Sequence, residues 1–444
     1  MLGPFPMTSP VRQRWLILAH AFNMDGRAAS QTITDKIPHL LAAGIEPVVL
    51  SGMQGRPDDV IEHHRLWPWG PAGIRFELRH VLRKRLAGWR YRLAMVLLSL
   101  PLLPFMLLEK WRWPLESSWS WRFAARHKAR ALARERGFDL IYSTGGAYAA
   151  HLAACDLQRE LGLPWLAEVH DPFVTPGHVP RTPHERMKLE VERRICTHAQ
   201  VALWFTEQAL VSAKARHPQL GSRGHVLLPG IDNPFPKGLP PYARGPKMVL
   251  GHFGSLSTTR TLVRVIEALE RLATQAPAVL ADIELHVTGG PLDTVTQARL
   301  QHSPVAQVLR HLGRIEADPV SGLSGRERIL RMMRATDVLL LIHGEEPICE
   351  EYIPSKMYEY LWMQRPILAQ VHRNAQMVRM LQELGHAVIE TGVEARMDVA
   401  GEMALAIQKL HSLWTRHAAM NCQSGSPYTT ESAVHRLLAS VQIQ

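Results

Sequence analysis

The apolar positions of the chain fall into short uninterrupted runs, separated by stretches that repeat every three to four residues. Residues 15–21 form one such run and end at Asn23-Met24-Asp25-Gly26-Arg27, which predicts a buried strand followed by a tight loop. Residues 30–43 carry helical periodicity and stop at Gly44, a C-cap signal, and residues 47–50 return as a strand. A β-loop-α-β unit calls for a parallel sheet covered by helices. The pattern repeats with a strand at 139–143, a helix at 147–161 and a strand at 165–170, and further short strands are predicted at 201–205 and 225–228. Residues 229–246 hold six prolines and three glycines, the composition of a semi-rigid linker. The alternation then restarts, with strands at 249–253, 284–288, 338–342 and 366–370 and helices at 260–274, 323–335 and 355–363.

The pattern predicts an α/β protein built from two Rossmann-like, doubly wound parallel-sheet domains. A ligand is then expected in the cleft they face, near the strand C-termini. The expected boundaries are 1–235 for the N-terminal domain, 236–246 for the linker and 247–420 for the second domain. Residues 421–444 are expected to form a C-terminal helix that packs back on the first.

Composition narrows the picture. At 444 residues with 46% hydrophobic, the chain can fill more than one core. Cys155, Cys196, Cys349 and Cys422 show no C-x-x-C or zinc spacing and read as reduced thiols. The first fourteen residues have no apolar core followed by a cleavage site, so the protein is expected on the cytoplasmic side of the membrane. The net charge of +11 is uneven: residues 1–136 hold 21 Lys and Arg against 10 Asp and Glu, and the remainder is balanced at 30 of each. Seven of the twelve tryptophans lie between Trp67 and Trp121. Together these features point to an anionic membrane surface as partner. No recognisable nucleic-acid module accompanies the charge, and nucleic acid is not expected to bind.

The segment 79–122 concentrates the signal. Arg83-Lys84-Arg85, Arg90 and Arg92 precede the apolar run 93–108, and Lys110-Trp111-Arg112-Trp113 closes it. The run is too short to span a bilayer, which takes about 20 apolar residues, and Pro101 and Pro104 break a single helix through it. It is expected to lie in the membrane interface; a buried helical hairpin of the first domain is the alternative.

Candidate chemistry is densest at residues 351–369. Lys356 and Glu359 are three apart and share a helix face. Pro354 suits the first turn of that helix, and Ser355 is positioned to offer an oxygen to its free N–H groups. A helix N-terminus beside a lysine suits a diphosphate, and a carboxylate one turn on suits a sugar or ribose diol. Residue types alone fit an ordinary helix with an i,i+3 salt bridge equally well. Gly254-Ser255-Leu256-Ser257-Thr258-Thr259-Arg260 links a strand to a helix; Gly254 allows close approach of a diphosphate, and Arg260 can clamp it. His170-Asp171 ends a strand, where Asp171 is placed to orient His170 or to act as base. Gly26-Arg27 forms the loop after the first strand. No D-x-D triplet occurs, so leaving-group charge falls to Lys356, Arg260 and helix dipoles, and no metal or cofactor is expected.

In order and spacing these motifs resemble glycosyltransferase family 4, a group of E-x7-E enzymes with the GT-B fold. Glu351 and Glu359 match its paired glutamates, Ala167-Glu168-Val169-His170-Asp171-Pro172 its first-domain strand end, and Leu228-Pro229-Gly230-Ile231-Asp232 its interdomain motif. His252-Phe253-Gly254-Ser255-Leu256 with Arg260, then Gly289-Gly290, Gly313-Arg314 and Asp337-Val338-Leu339-Leu340-Leu341, follow in the family's order. Many relatives carry a cation where this chain has Ser255. The resemblance implies a retaining, metal-independent transfer of a sugar from a nucleotide diphosphate donor to a glycan or glycolipid acceptor. It implies that Glu351 binds sugar hydroxyls and Glu359 the ribose. Lys356 and Arg260 would bind the diphosphate, the backbone at Gly313-Arg314 would contact the base, and His170 would face the reaction centre. A nucleotide-sugar epimerase of the same fold, or an inactive nucleotide- or glycan-binding subunit, remains an alternative.

Overall fold

The computed structural model describes residues 13–24, 27–83, 85–392, 398–416 and 425–442. It divides into two compact units, Met1–Gly230 with Thr430–Gln444, and Ile231–Thr429.

The first unit is built on seven parallel strands: β1 (Gln13–Leu18), β2 (Ile45–Ser51), β3 (Glu62–Arg65), β4 (Leu140–Thr144), β5 (Trp165–Val169), β6 (Val201–Trp204) and β7 (Gly224–Val226). Their spatial order is β3-β2-β1-β4-β5-β6-β7. Successive side chains of a strand point to opposite faces, and here both faces are apolar. Leu16 and Leu18 of β1 pack into one cluster with Trp121, Ala125, Ala153 and Ile195. Trp15 and Ile17 pack into another with Ile33, Ile37 and Leu40. The terminal helix Thr430–Gln442 completes that second layer through Ala433, Val434 and Leu437. The helix expected over 30–43 is two helices, Ala28–Thr34 and Lys36–Ala42. Pro38 has no N–H to give the Thr34 carbonyl, so the ladder breaks there. Gly44 takes φ +82°, as a residue just past a helix end does. Strand β3, Glu-His-His-Arg, has no apolar periodicity to reveal it, because it is a charged edge strand.

The second unit holds β8 (Met248–Phe253), β9 (Ile283–Thr288), β10 (Leu309–Gly313), β11 (Val338–Ile342), β12 (Ile367–His372) and β13 (Ala387–Thr391). They are parallel in the order β10-β9-β8-β11-β12-β13. The helices Val263–Gln275 and Val399–Thr415 cover one face through Leu269, Leu272, Ile407 and Leu410. In both units the chain starts mid-sheet, runs to one edge, then crosses back, which is the Rossmann order. The proline-rich segment, expected as a semi-rigid linker at 236–246, packs on the second unit. Tyr242 donates to Asp337, the Arg365 guanidinium lies 3.6 Å from the Tyr242 ring centre, and Arg334 Nε donates to the Pro240 carbonyl at 3.1 Å. Pro240 and Tyr242 thus belong to the second unit's packing, and the division falls at Gly230/Ile231.

Residues 79–122 do not form the buried core hairpin, and the helix break expected at Pro101 and Pro104 is present. Helix Gly88–Ser99 has no buried residue, and Leu103–Arg112 buries only Met106 and Glu109. Among the described residues no single helix is long and apolar enough to cross a membrane; these two, bent by 65° at their junction, have that length and apolar character only together.

Candidate active site

The strand order of the second unit reverses between β8 and β11, and ligands of such sheets sit outside the strand ends at that reversal. The loops leaving β8, β9 and β10 are locked together by their backbones. Gly254 N–H donates to Thr288 O and Gly289 N–H to Gly313 O, both at 2.9 Å. A Cβ at Gly289, where φ is +146°, would stand 2.1 Å from the Gly254 carbonyl oxygen, so glycine alone fits. The structure therefore brings the predicted Gly254, Gly289 and Gly313 together. Ser255 and Arg314 are exposed on the same loops.

The other wall is the 3-10 turn Pro347–Glu351 and the helix Ser355–Trp362. Asn374 shapes the turn: its Nδ2 lies 3.3, 3.2 and 3.0 Å from the carbonyl oxygens of Cys349, Glu350 and Tyr352, while its Oδ1 caps the next helix at Met377 N–H, 2.9 Å away. Glu351 is fully buried there. Arg260 donates to the Tyr352 hydroxyl, and burial pushes that phenol up to about 12. The preceding Thr259 accepts at its carbonyl from Glu345 N–H at 2.9 Å and donates through Oγ1 to Glu346 at 2.7 Å. Arg260 is thus tied to the segment that carries Glu351.

Lys356 Nζ lies 2.5 Å from Glu359 Oε2, and Arg326 approaches Glu359 Oε1 at 3.7 Å. Lys356 is about one-third exposed, so this pair contributes less than about 1 kcal/mol and can open for a competing anion. Ser355 does not cap its helix: Pro354 occupies the N-cap position and no side-chain oxygen serves the first turn. Ser355 is the first helical residue, one place past the position from which a cap reaches back.

Two buried histidines at the strand ends lie close enough to these cations to be affected by them. Burial, with the charges of Arg260 and Lys356, pushes His252 down to about 4. Burial, with the charges of Arg260 and His372, pushes His343 down to about 3. Both rings are neutral near pH 7, chiefly because they are buried, and the nearby cations act in the same direction. A cavity of about 880 Å³ elsewhere in the unit is lined by Arg264, Glu267, Arg271 and Asp398, among others, and by none of the predicted site residues. Its arginines are already paired, Arg271 with Asp398 at 2.6 Å and Arg264 with Glu267 at 3.1 Å.

In the first unit, β4 and β5 end in a buried polar network. His170 Nε2 lies 2.9 Å from both Glu168 Oε1 and Thr144 Oγ1, and its ring stacks on Phe205 with centroids 4.5 Å apart. A carboxylate only accepts, so Nε2 carries the proton and a neutral ring leaves Nδ1 as acceptor. Glu168 is ion-paired with the buried Lys36 and accepts from Tyr142 at 2.8 Å. Burial pushes Glu168 up, but Lys36 and His170 outweigh it and hold the carboxyl well below the usual carboxylate range. Asp171 is exposed, and Glu168 with Thr144 holds His170 in its place. Arg27 is exposed at the start of helix Ala28–Thr34, and Gly26 lies outside the described residues. Glu168 was findable, since it lies two residues before His170 on a strand and so on the same face. Lys36, Thr144, Arg326 and Asn374 left no such signal.

No protein-family model matches the chain, and no curated protein sequence does either. Solved structures do. HepE of Anabaena, determined in complex with UDP-glucose, is 13% identical, with 97% of this chain and 100% of that one aligned at a TM-score of 0.53. The sucrose-phosphate synthase of Thermosynechococcus elongatus is 12% identical over 97% and 99% of the two chains, at 0.58. WaaG, a glycosyltransferase involved in lipopolysaccharide biosynthesis, is 14% identical over 96% and 99%, at 0.55. At such identities the likeness establishes the fold, which is GT-B.

Proposed function

We propose that the protein transfers a sugar from a nucleotide diphosphate donor to a hydroxyl of a lipid-linked saccharide or other cell-envelope glycan, at an anionic membrane surface. What supports this reading is that Arg260 is hydrogen-bonded to Tyr352 beside Glu351, that Lys356 is paired with Glu359, and that both cations act on His252 next to the glycine-tight loop after β8. In this reading Lys356 and Arg260 bind the diphosphate and offset the charge it gains as the bond to the anomeric carbon breaks. Glu351 binds the sugar's hydroxyls and Glu359 the ribose diol. By the motif match alone, His170, held by Glu168, takes the role of the family's histidine and Asp171 that of an available base. The motif order supports a retaining, family-4 type of transfer, and HepE's bound UDP-glucose makes UDP-sugars the first donors to test. The +11 charge of residues 1–136 supports the anionic surface.

The test is nucleotide release from a panel of UDP-, GDP- and ADP-sugars, with and without envelope lipid extract, in chelator. Release that depends on the lipid supports transfer. Conversion of donor alone would identify an epimerase, and no consumption of any donor would overturn the reading. An absolute need for manganese or magnesium, restored on adding it back, would overturn metal-independence.

A further inference from the structure

The bent helix pair Gly88–Ser99 and Leu103–Arg112 exposes more large apolar side chains than any other stretch of the described chain. Leu97, Leu100, Phe105 and Leu107 are 60–63% exposed, and Leu93, Val96, Leu98, Leu103 and Leu108 are also open to solvent. Singly exposed apolar residues are ordinary; a contiguous patch of this kind marks a surface made for an apolar partner. The pair is not a loose excursion. Glu109 is buried and accepts from Ala72 N–H at 2.8 Å and from Trp119 Nε1 at 2.7 Å, so one point of the second helix is fastened to the body of the unit.

We propose that this elbow inserts into the hydrocarbon of one leaflet of an anionic bilayer. Three features select lipid as the occupant. The sixteen residues 93–108 carry no charge, while Arg85, Arg90 and Arg92 precede them and Lys110 and Arg112 follow. Trp89, Trp111 and Trp113 stand among those cations and are exposed, the position tryptophan takes at the headgroup level. The elbow's backbone is also prepared for a place without water. Leu100 N–H donates to Val96 O at 2.9 Å, Leu102 N–H to Ser99 O at 3.1 Å and Leu103 N–H to Leu100 O at 3.2 Å. Pro101 and Pro104 have no N–H to satisfy, so no donor between residues 100 and 104 is left for water. The depth follows from length. Helices of 12 and 10 residues reach about 18 and 15 Å; with both outer ends at the headgroups and a 65° bend between them, the elbow reaches only about 9 Å deep, within one leaflet of a hydrocarbon core about 30 Å thick.

This deepens the proposed attachment to an anionic surface and rests on it. Charge brings the unit to the membrane, and apolar insertion holds it there. The test uses the full chain with Cys422→Ser and Leu100→Cys, labelled at residue 100 with an environment-sensitive fluorophore. With phosphatidylcholine–phosphatidylglycerol vesicles, the label should shift to the blue and be quenched by acyl-chain spin labels but not by aqueous iodide. Once formed, binding should survive about 1 M salt, where the screening length is only about 3 Å. Leu97→Asp with Leu100→Asp should lower vesicle partitioning by roughly a hundredfold or more, because an acidic side chain at depth is strongly disfavoured. A label that stays open to iodide, partitioning unchanged in the aspartate pair, or full release in high salt would overturn insertion. A label already shielded without lipid, in a dimer, would assign the elbow to a second copy instead. Nucleoside diphosphate titration of the same variants separates the two readings. Lost insertion with intact nucleotide binding condemns only this inference, and absent nucleotide binding with intact insertion condemns only the catalytic one.

Discussion

Lys36 shows how much one residue can decide in this chain. It is buried, and so is Glu168, to which it is paired. Removing one member of a buried pair leaves a charge with neither water nor partner. Lys36→Met should therefore destabilise the first unit by about 3–5 kcal/mol, read from the urea midpoint. Adding Glu168→Gln, which removes the stranded charge and can keep the Tyr142 and Thr144 contacts, should recover part of that loss. A single variant within about 1 kcal/mol of wild type, or a double variant less stable than the single, would contradict the network as described. At this scale the sequence was legible where spacing encodes proximity. Lys356 and Glu359 are one turn apart and do meet. It was misleading where a neighbour in sequence looked like a partner: Asp171 follows His170 directly, yet adjacent residues diverge at a strand end and Glu168 makes the contact. It was silent on Asn374, whose three carbonyl contacts depend on how distant loops close.

Among the elements, the apolar runs of the central strands were legible because both faces are buried. The run expected at 338–342 is β11 itself, and 249–253 is β8 less its first residue. The edge strands β3, β10 and β13 escaped notice because their sequences are short and carry charged or half-exposed positions. For the proline-rich stretch, composition reports stiffness and not what the segment packs against, here Arg365 and Asp337. The glycine loops carry a prediction at this scale. Gly289→Ala would drive a methyl into the Gly254 carbonyl at a positive φ, and should cost more than about 1 kcal/mol. Gly137→Ala, where a Cβ meets open space at ordinary φ, is the control and should be near neutral. Equal midpoints for the two variants would mean the loops are not locked together.

The whole molecule should reveal its buried histidines in its pH dependence. Burial pushes His151 down to about 4, as it does His252, and His343 lower still, to about 3. Their unfolded value is near 6.5, so between about 6.5 and 4 the unfolded chain binds protons that the folded chain refuses. Stability is therefore full above pH 6.5 and falls as pH drops through that window. Each histidine contributes a slope of about 1.4 kcal/mol per pH unit where it is fully proton-linked. Urea midpoints that stay flat from pH 7 to 5 would contradict this. His252 ties that behaviour to the site, because part of its shift comes from Arg260 and Lys356.

Those two cations are also where the central claim is most exposed to test. The decisive measurement is calorimetric titration of the full chain with UDP, GDP and ADP, in parallel for wild type and Lys356→Ala. At least one nucleoside diphosphate should bind the wild type saturably, and Lys356→Ala should weaken it by roughly tenfold or more, the loss of one charge-assisted contact of about 1.5–3 kcal/mol. Binding by none of the three, or equal affinity in a Lys356→Ala protein of unchanged stability, would contradict a nucleotide-diphosphate site at this edge of the sheet.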